Sequence, residues 1–342
     1  MTSTGATRAI VTGTSGFIGR HLAEALAGHG YNVLGIDRRD PTNAPRGYQH
    51  RTVDLLDAKG LRTALLEWQP EVVFHLAART DMDKHPDLRA YASNVDGVSN
   101  LVSALAETPS VRRWICTSTQ LVCRVGYRPT HDRDYCPNSL YGESKVQTEE
   151  ICRAADGGGG ATWTIVRPTT IWGPGMKPHY VRFFRMLRRG RYFHVGRQPL
   201  FKSYGYVGNT VHQYMQLMVA PPEQVHRRTF YLADYEPLSL QAWAEEFRKQ
   251  LGAPPIRTLP LGLATGAARV GDLLNAVGLR DFPFNSFRLN NIMTPYQMDL
   301  AATRAVCGPL PWTMSDGVAA TVDWLRGMWN ESGAATQAAG VA

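Results

Sequence analysis

A short β-branched run at residues 8–11 breaks at Gly13-Thr14-Ser15-Gly16-Phe17-Ile18-Gly19 and passes directly into a helical apolar pattern at 18–28. Three glycines spaced three apart, where a strand gives way to a helix, predict a tight turn that brings backbone close to a ligand or to a neighbouring strand. The backbone N–H groups and the positive end of the helix then point the same way, which suits a pyrophosphate. The spacing is Gly-x-x-Gly-x-x-Gly rather than Gly-x-Gly-x-x-Gly, and taken alone it fits an ordinary strand-to-helix turn equally well.

The context favours the nucleotide. Further β-branched runs at 31–36, 51–53, 72–76, 111–117 and 162–166 alternate with helical patterns at 58–68, 87–107 and 139–155. Such alternation predicts an α/β fold with a doubly wound parallel sheet of Rossmann type. After Pro168 the alternation is lost: an arginine-rich segment at 182–197, a helical patch at 209–219 and a strand at 229–232 precede a mostly helical region punctuated by Pro254, Pro255 and Pro260. We therefore expect a dinucleotide-binding domain over 1–171 and about 198–235, a smaller substrate domain over 172–197 and 236–332, and a flexible tail at 333–342.

Of the 342 residues 44% are hydrophobic and 19% charged, which excludes disordered, fibrous and membrane-embedded classes. The formal charge of +8 fits either nucleic acid or a small, multiply charged anion. Five cysteines without a C-x-x-C pair indicate neither a disulfide framework nor a thiolate zinc site, and a reducing cytoplasm is expected. No metal site is expected. The first residues lack the apolar core of a signal peptide, and the weakly charged stretch 259–279 is interrupted by Arg269 and Asp272, so the chain reads as soluble with no membrane partner.

Asp37 closes the second strand 18 residues after Gly19, where its carboxylate can hold the adenosine ribose hydroxyls of NAD. Arg38 and Arg39 could instead pair with a 2′-phosphate, which keeps NADP open. Asp54 and Leu55 can flank the adenine, although Asp54 suits a helix entry as well. Leu76-Ala77-Ala78 places small residues at the carboxyl edge of the sheet, where a nucleotide backbone would pass and where close packing would also call for them.

Tyr141 and Lys145 are offset by one helical turn and share a face. A phenol titrates near ~10, and a nearby ammonium favours phenolate, so the pair is a candidate proton-transfer group. A lone Tyr-x-x-x-Lys is common on helix surfaces. Thr119, at the end of the fifth strand, can hydrogen-bond the substrate oxygen that Tyr141 protonates, and Asn94 can complete a proton relay or serve as a plain helix amide.

Taken in order, the glycine turn, Asp37, Leu76-Ala77-Ala78, Asn94, Thr119, Tyr141 and Lys145 resemble the extended short-chain dehydrogenase/reductase family, over nearly the whole chain. Arg167-Pro168 through Ile171-Trp172-Gly173-Pro174 resembles the family segment after the sixth strand and adds Pro168 to the cofactor contacts. The resemblance implies hydride transfer at a sugar or alcohol carbon, with Tyr141 as acid/base and Lys145 holding the cofactor ribose. It also implies a homodimer through helices 87–107 and 139–155.

Dehydratases of this family carry an Asp-Glu pair after the catalytic Thr; here Gln120 and Leu121 stand there, so dehydration is not expected and Gln120 is counted with the substrate contacts. Lys202 replaces the arginine of the family motif that meets substrate phosphates, and His179 lies where related epimerase-reductases place an acid. Among the crowded arginines, Arg182 and Arg197 are candidates to clamp a diphosphate, against the alternative of a solvated helix face. The leading expectation is a nucleotide-sugar C4 epimerase or 4-ketoreductase. The alternatives are a dehydrogenase or reductase of an apolar, sterol- or flavonoid-like substrate and a non-catalytic NAD(P)-sensing or nucleic-acid-binding protein; an intact Tyr141 and Lys145 argue against the last, and no nucleic-acid partner is expected.

Overall fold

The computed structural model describes residues 6–41, 44–81, 87–156, 158, 160–176, 178–276 and 284–339, without the side chains of 178–179 and 331–339. The chain forms two compact units, residues 1–171, 207–233 and 299–311 in the first and 172–206, 234–298 and 312–342 in the second.

The first unit is built on β1 (Arg8–Thr12), α1 (Phe17–Gly28), β2 (Asn32–Asp37), β3 (Gln49–Thr52), α2 (Ala58–Trp68), β4 (Val72–His75), α3 (Ala92–Ala106), β5 (Arg113–Thr117), α4 (Leu140–Ala154) and β6 (Thr162–Pro168). Among the described residues its sheet runs Arg228–Leu232, β6, β5, β4, β1, β2, β3, every neighbour parallel. Strands buried on both faces need continuous apolar runs, and Ala9, Ile10, Val11, Val73, Phe74 and Ile115 supply them without exposure. Burying each large side chain contributes about 1.5–3 kcal/mol. The strand order reverses between β1 and β4, which opens a crevice at their carboxyl ends.

Helix starts are fixed locally. Asp57 caps α2 by accepting the Gly60 N–H at 2.9 Å, and Ser139 caps α4 by accepting the Gly142 N–H at 3.1 Å. That cap sets where Tyr141 leaves the first turn of α4. A 3-10 turn, Leu88–Tyr91, precedes α3, so the long helix expected from 87 begins as a tighter coil.

Among the described residues the second unit is mostly helical, with two short strand pairings of its own. Helix Pro178–Arg188 buries Val181, Phe184 and Leu187, and Phe184 meets Phe247 of helix Leu240–Leu251 at 4.5 Å between ring centroids. Strands Phe193–Val195 and Arg257–Leu259 pair in parallel. Helices Leu261–Ala276 and Ser286–Met293 follow, and the last helix, Met314–Ala339, continues past Gly333, where the sequence suggested a tail.

Candidate active site

The glycine turn is required by close approach. Gly13 has φ +82°, and a Cβ there would stand 2.7 Å from the Ala77 nitrogen. A Cβ on Gly19 would collide with the Gly13 carbonyl, so α1 starts hard against β1. The N-cap of α1 is Gly16, with no side chain folded over the first turn, and Phe17 and Ile18 open the helix. Its leading N–H groups are therefore not capped from within by a side chain, as a pyrophosphate site needs.

Asp37 ends β2 and holds the turn: Oδ2 accepts the Ser15 N–H at 3.1 Å and Oδ1 accepts the Arg39 N–H at 3.2 Å. Ser15 Oγ donates to the Arg39 carbonyl at 2.7 Å, and Arg38 is exposed. Asp54 closes its own turn by accepting the Leu56 N–H, and Leu55 packs into the core against Gly97. Across the crevice Thr12 Oγ1 pairs with His75 Nδ1 at 2.9 Å and accepts the Leu76 and Ala77 N–H groups, both at 3.1 Å. One hydroxyl thereby fixes the chain that runs on to Ala78. Pro168 closes β6 beside Leu232.

At the next carboxyl end Thr119 caps the 3-10 turn Gln120–Val122, with Oγ1 accepting the Leu121 N–H at 3.2 Å, and its hydroxyl also partners the Tyr141 phenol. Tyr141, Lys145 and Thr119 are all buried, with Tyr91 tilted against the Tyr141 ring at 6.2 Å. Burial pushes the Tyr141 phenol up to about 12; the Thr119 hydrogen bond pulls it down and Tyr91 pushes it further up. Lys145 is expected to lower that value, but the ammonium instead sits under the influence of Cys116, Glu149 and Cys152, and its own pKa is lowered mainly by burial. The phenol at rest is thus a proton donor.

Asn94 is fully buried. Its Oδ1 accepts the Arg79 N–H at 2.7 Å, and its Nδ2 donates to the Arg79 carbonyl and to Ser144 Oγ, both at 3.0 Å. The structure shows a strut between the loop after β4 and α4, with every polar atom of the amide engaged inside the protein.

The substrate candidates divide. Gln120 is buried in the first unit beside Thr119. Arg182 and Arg197 are exposed, as are Arg185, Arg188, Arg189 and Arg191, while their helix buries its apolar face. Lys202 is buried, its Nζ donates to the Asn291 carbonyl at 2.6 Å, and burial lowers its pKa to about 8. His179 begins helix Pro178–Arg188, and its side chain lies outside the described residues.

Sequence reasoning missed Thr12, His75, Ser118 and Ser144. His75 is fully buried at the end of β4, its imidazole pushed down to about 3 by burial and by Lys145. Among the described residues His75 Nε2, Ser118 Oγ and Gln120 Oε1 are buried polar atoms without a hydrogen-bond partner. Each lies at or just past a strand's carboxyl end, on β4 or β5. Unpaired buried groups cost about 1–3 kcal/mol, and their gathering at one edge fits a site shaped for a polar ligand. A polar residue ending an otherwise apolar strand was the available signal.

Among the described residues no cluster of three or more His, Cys, Asp or Glu could hold a metal ion, and no helix is long and apolar enough to cross a membrane. All five cysteines are free.

Residues 9–217 match the model of the NAD dependent epimerase/dehydratase family. Among curated relatives, N-acetyl-alpha-D-glucosaminyl-diphospho-ditrans,octacis-undecaprenol 4-epimerase of Escherichia coli O157:H7 is 26% identical over 321 residues, covering 92% of this chain and 94% of its own. The 3-beta-hydroxysteroid dehydrogenase of Mycolicibacterium neoaurum is 27% identical over 253 residues, covering 69% and 68%. Among solved structures, UDP-glucose 4-epimerase of Thermotoga maritima with UDP-glucose has a TM-score of 0.73 at 20% identity, over 94% of this chain and 100% of the other. UDP-glucuronic acid 4-epimerase of Bacillus cereus in complex with NAD has a TM-score of 0.72 at 19% identity, over 94% and 100%. At these identities the structural likenesses speak for the fold alone.

Proposed function

Because the chain belongs to the NAD dependent epimerase/dehydratase family, we propose that it is a C4 epimerase or 4-ketoreductase of a sugar carried on a diphosphate. The observation that carries this reading is the Thr119–Tyr141 contact at the carboxyl edge of the sheet, with Lys145 one turn along α4. The glycine turn, Asp37 and the orphaned polar atoms beside Thr119 suit NAD in the crevice, with NADP less favoured because a carboxylate ends β2.

When bound, NAD supplies a reversible two-electron acceptor for an alcohol carbon. Tyr141 takes and returns the proton of that alcohol, and Thr119 Oγ1 holds the same oxygen. With its phenol raised to about 12, Tyr141 needs added positive charge beside it to act as a base at neutral pH. Lys145, buried on the same face, would hold the cofactor ribose and add its charge there. Gln120 and Leu121 offer no carboxylate after Thr119, which disfavours elimination of water. The full-length match to an epimerase of a diphospho-linked sugar supports the substrate class. The reading also includes a homodimer through α3 and α4 and a reducing cytoplasm, supported by five free thiols.

The test is to incubate the protein with UDP-glucose, UDP-N-acetylglucosamine and NAD and follow the C4 proton by NMR. Interconversion of C4 epimers without net NADH is expected. No turnover of any diphospho-sugar by protein that binds NAD would sink the reading.

A second reading, dehydrogenation of an apolar alcohol, is favoured by the hydroxysteroid dehydrogenase relatives and by the exposure of Arg182 and Arg197. Stoichiometric NADH formed with a sterol would select it.

A further inference from the structure

We propose that helix Leu261–Ala276, with the start of helix Ser286–Met293, docks the protein on the surface of an anionic lipid bilayer. The helix is turned the opposite way from an ordinary surface helix. It packs inward with its smallest residues, Ala264, Ala268 and Gly271, against a cluster containing Val195 and Leu289. Its large aliphatic side chains face out: Leu263 is 64% exposed, Val270 56% and Leu273 63%. With the exposed Gly266 these residues recur at spacings of three, four and three, which is a single stripe along one side of the helix. Phe287, 70% exposed, opens the neighbouring helix, which is tied to the first where the Ser286 N–H donates to Asp272 Oδ1 at 3.2 Å.

Large apolar groups gathered on one face and left in water mark a surface that another phase covers. The charges say which. Among the described residues of this pair of helices and the strand leading into them, three exposed arginines, Arg257, Arg269 and Arg288, outnumber one exposed carboxylate, Asp272, and the chain as a whole carries +8. A two-fold contact between copies would set this arginine rim against itself, whereas anionic headgroups complement it while acyl chains take the aliphatic stripe. Arg269 and Asp272 keep the helix lying in the plane of the interface rather than crossing it. The expectation of no membrane partner rests on the lack of a spanning segment, whereas this stripe lies along a helix whose Ala264, Ala268 and Gly271 face inward.

The proposal stands apart from the substrate, and its test reads binding, not turnover. The full-length protein is sedimented with vesicles of phosphatidylcholine mixed with phosphatidylglycerol, and with vesicles of phosphatidylcholine alone. Binding to the mixed vesicles is expected, weakened roughly tenfold by leaving out the anionic lipid or raising the salt. The triple variant Leu263→Ser, Val270→Ser, Leu273→Ser should lose binding by about tenfold or more while NAD still binds. Should it fail to fold, Phe287→Ser and Arg269→Glu, both at exposed sites, carry the same comparison. Wild-type protein left in the supernatant with both vesicle types would overturn the proposal, as would a folded variant that binds like wild type. So would a triple variant that dissociates an oligomer while vesicle binding persists, because the face would then join copies of the chain.

Discussion

Glu149 and Arg167 meet as a two-point ion pair sealed from solvent, Nε to Oε1 and Nη2 to Oε2, both at 2.8 Å. Glu149 follows Tyr141 and Lys145 at four-residue steps on α4, so the pair fastens that face of the helix to β6. Arg167 also donates to the Tyr231 hydroxyl at 3.0 Å, and the Tyr135 and Tyr231 rings lie 5.6 and 5.5 Å from its guanidinium carbon. Glu149→Gln strands a buried cation and should cost about 3–5 kcal/mol of stability, read from urea unfolding. A loss under ~1 kcal/mol would show that the pair does not anchor the helix.

Tyr141→Phe removes the transferable proton and keeps the ring. Turnover should fall by roughly 10²–10⁴ while NAD affinity, measured by calorimetry, changes little. Near-normal turnover would remove Tyr141 from proton transfer.

Gly13→Ala forces a side chain into a left-handed backbone 2.7 Å from the Ala77 nitrogen. The strain and the shifted crevice wall should lower stability by about 1–3 kcal/mol and abolish measurable NAD binding. Unchanged NAD titration curves would mean the turn does not form the cofactor cradle.

The glycine turn and Asp37 were legible because they are local: a strand ends, a helix begins, and a carboxylate closes the next strand. The Tyr141–Lys145 offset was legible for the same reason, since helical spacing fixes a shared face. The surroundings of Lys145 were not. Glu149 and Cys152 lie one and two turns farther along α4 on the same face, but Cys116 comes from β5, and only the packed sheet brings its thiol to bear on the ammonium. His75 was missed because its partners, Thr12 and Lys145, are distant in sequence. The inward face of helix Leu261–Ala276 was likewise hard to read, since Ala264, Ala268 and Gly271 carry little apolar signal beside Leu263, Val270 and Leu273.

His75 makes stability depend on pH. Its imidazole drops from 6.5 to about 3 on folding, chiefly through burial and then through Lys145. The unfolded chain binds the extra proton, so the contribution is complete above about pH 6.5 and is lost as pH falls towards 3. At pH 5 the loss should be ~2 kcal/mol, and His75→Gln should flatten the acid limb of a urea-midpoint profile. An equal slope in both proteins would assign the acid limb to other groups.

Asp37→Ala should weaken NAD more than NADP, because the carboxylate that favours ribose hydroxyls also repels a 2′-phosphate. Fluorescence titration with both dinucleotides checks this, and an unmoved preference would remove Asp37 from the site.

Asn94 bridges the Arg79 peptide to Ser144, and the Ser144 hydroxyl donates to the Tyr141 carbonyl at 2.7 Å. One carboxamide therefore gauges the gap between the two mononucleotide halves of the domain and delivers the result to the backbone that carries the phenol. Any slippage of α3 against α4 would therefore be carried through Asn94 and Ser144 to the stretch of backbone from which the Tyr141 side chain leaves the helix.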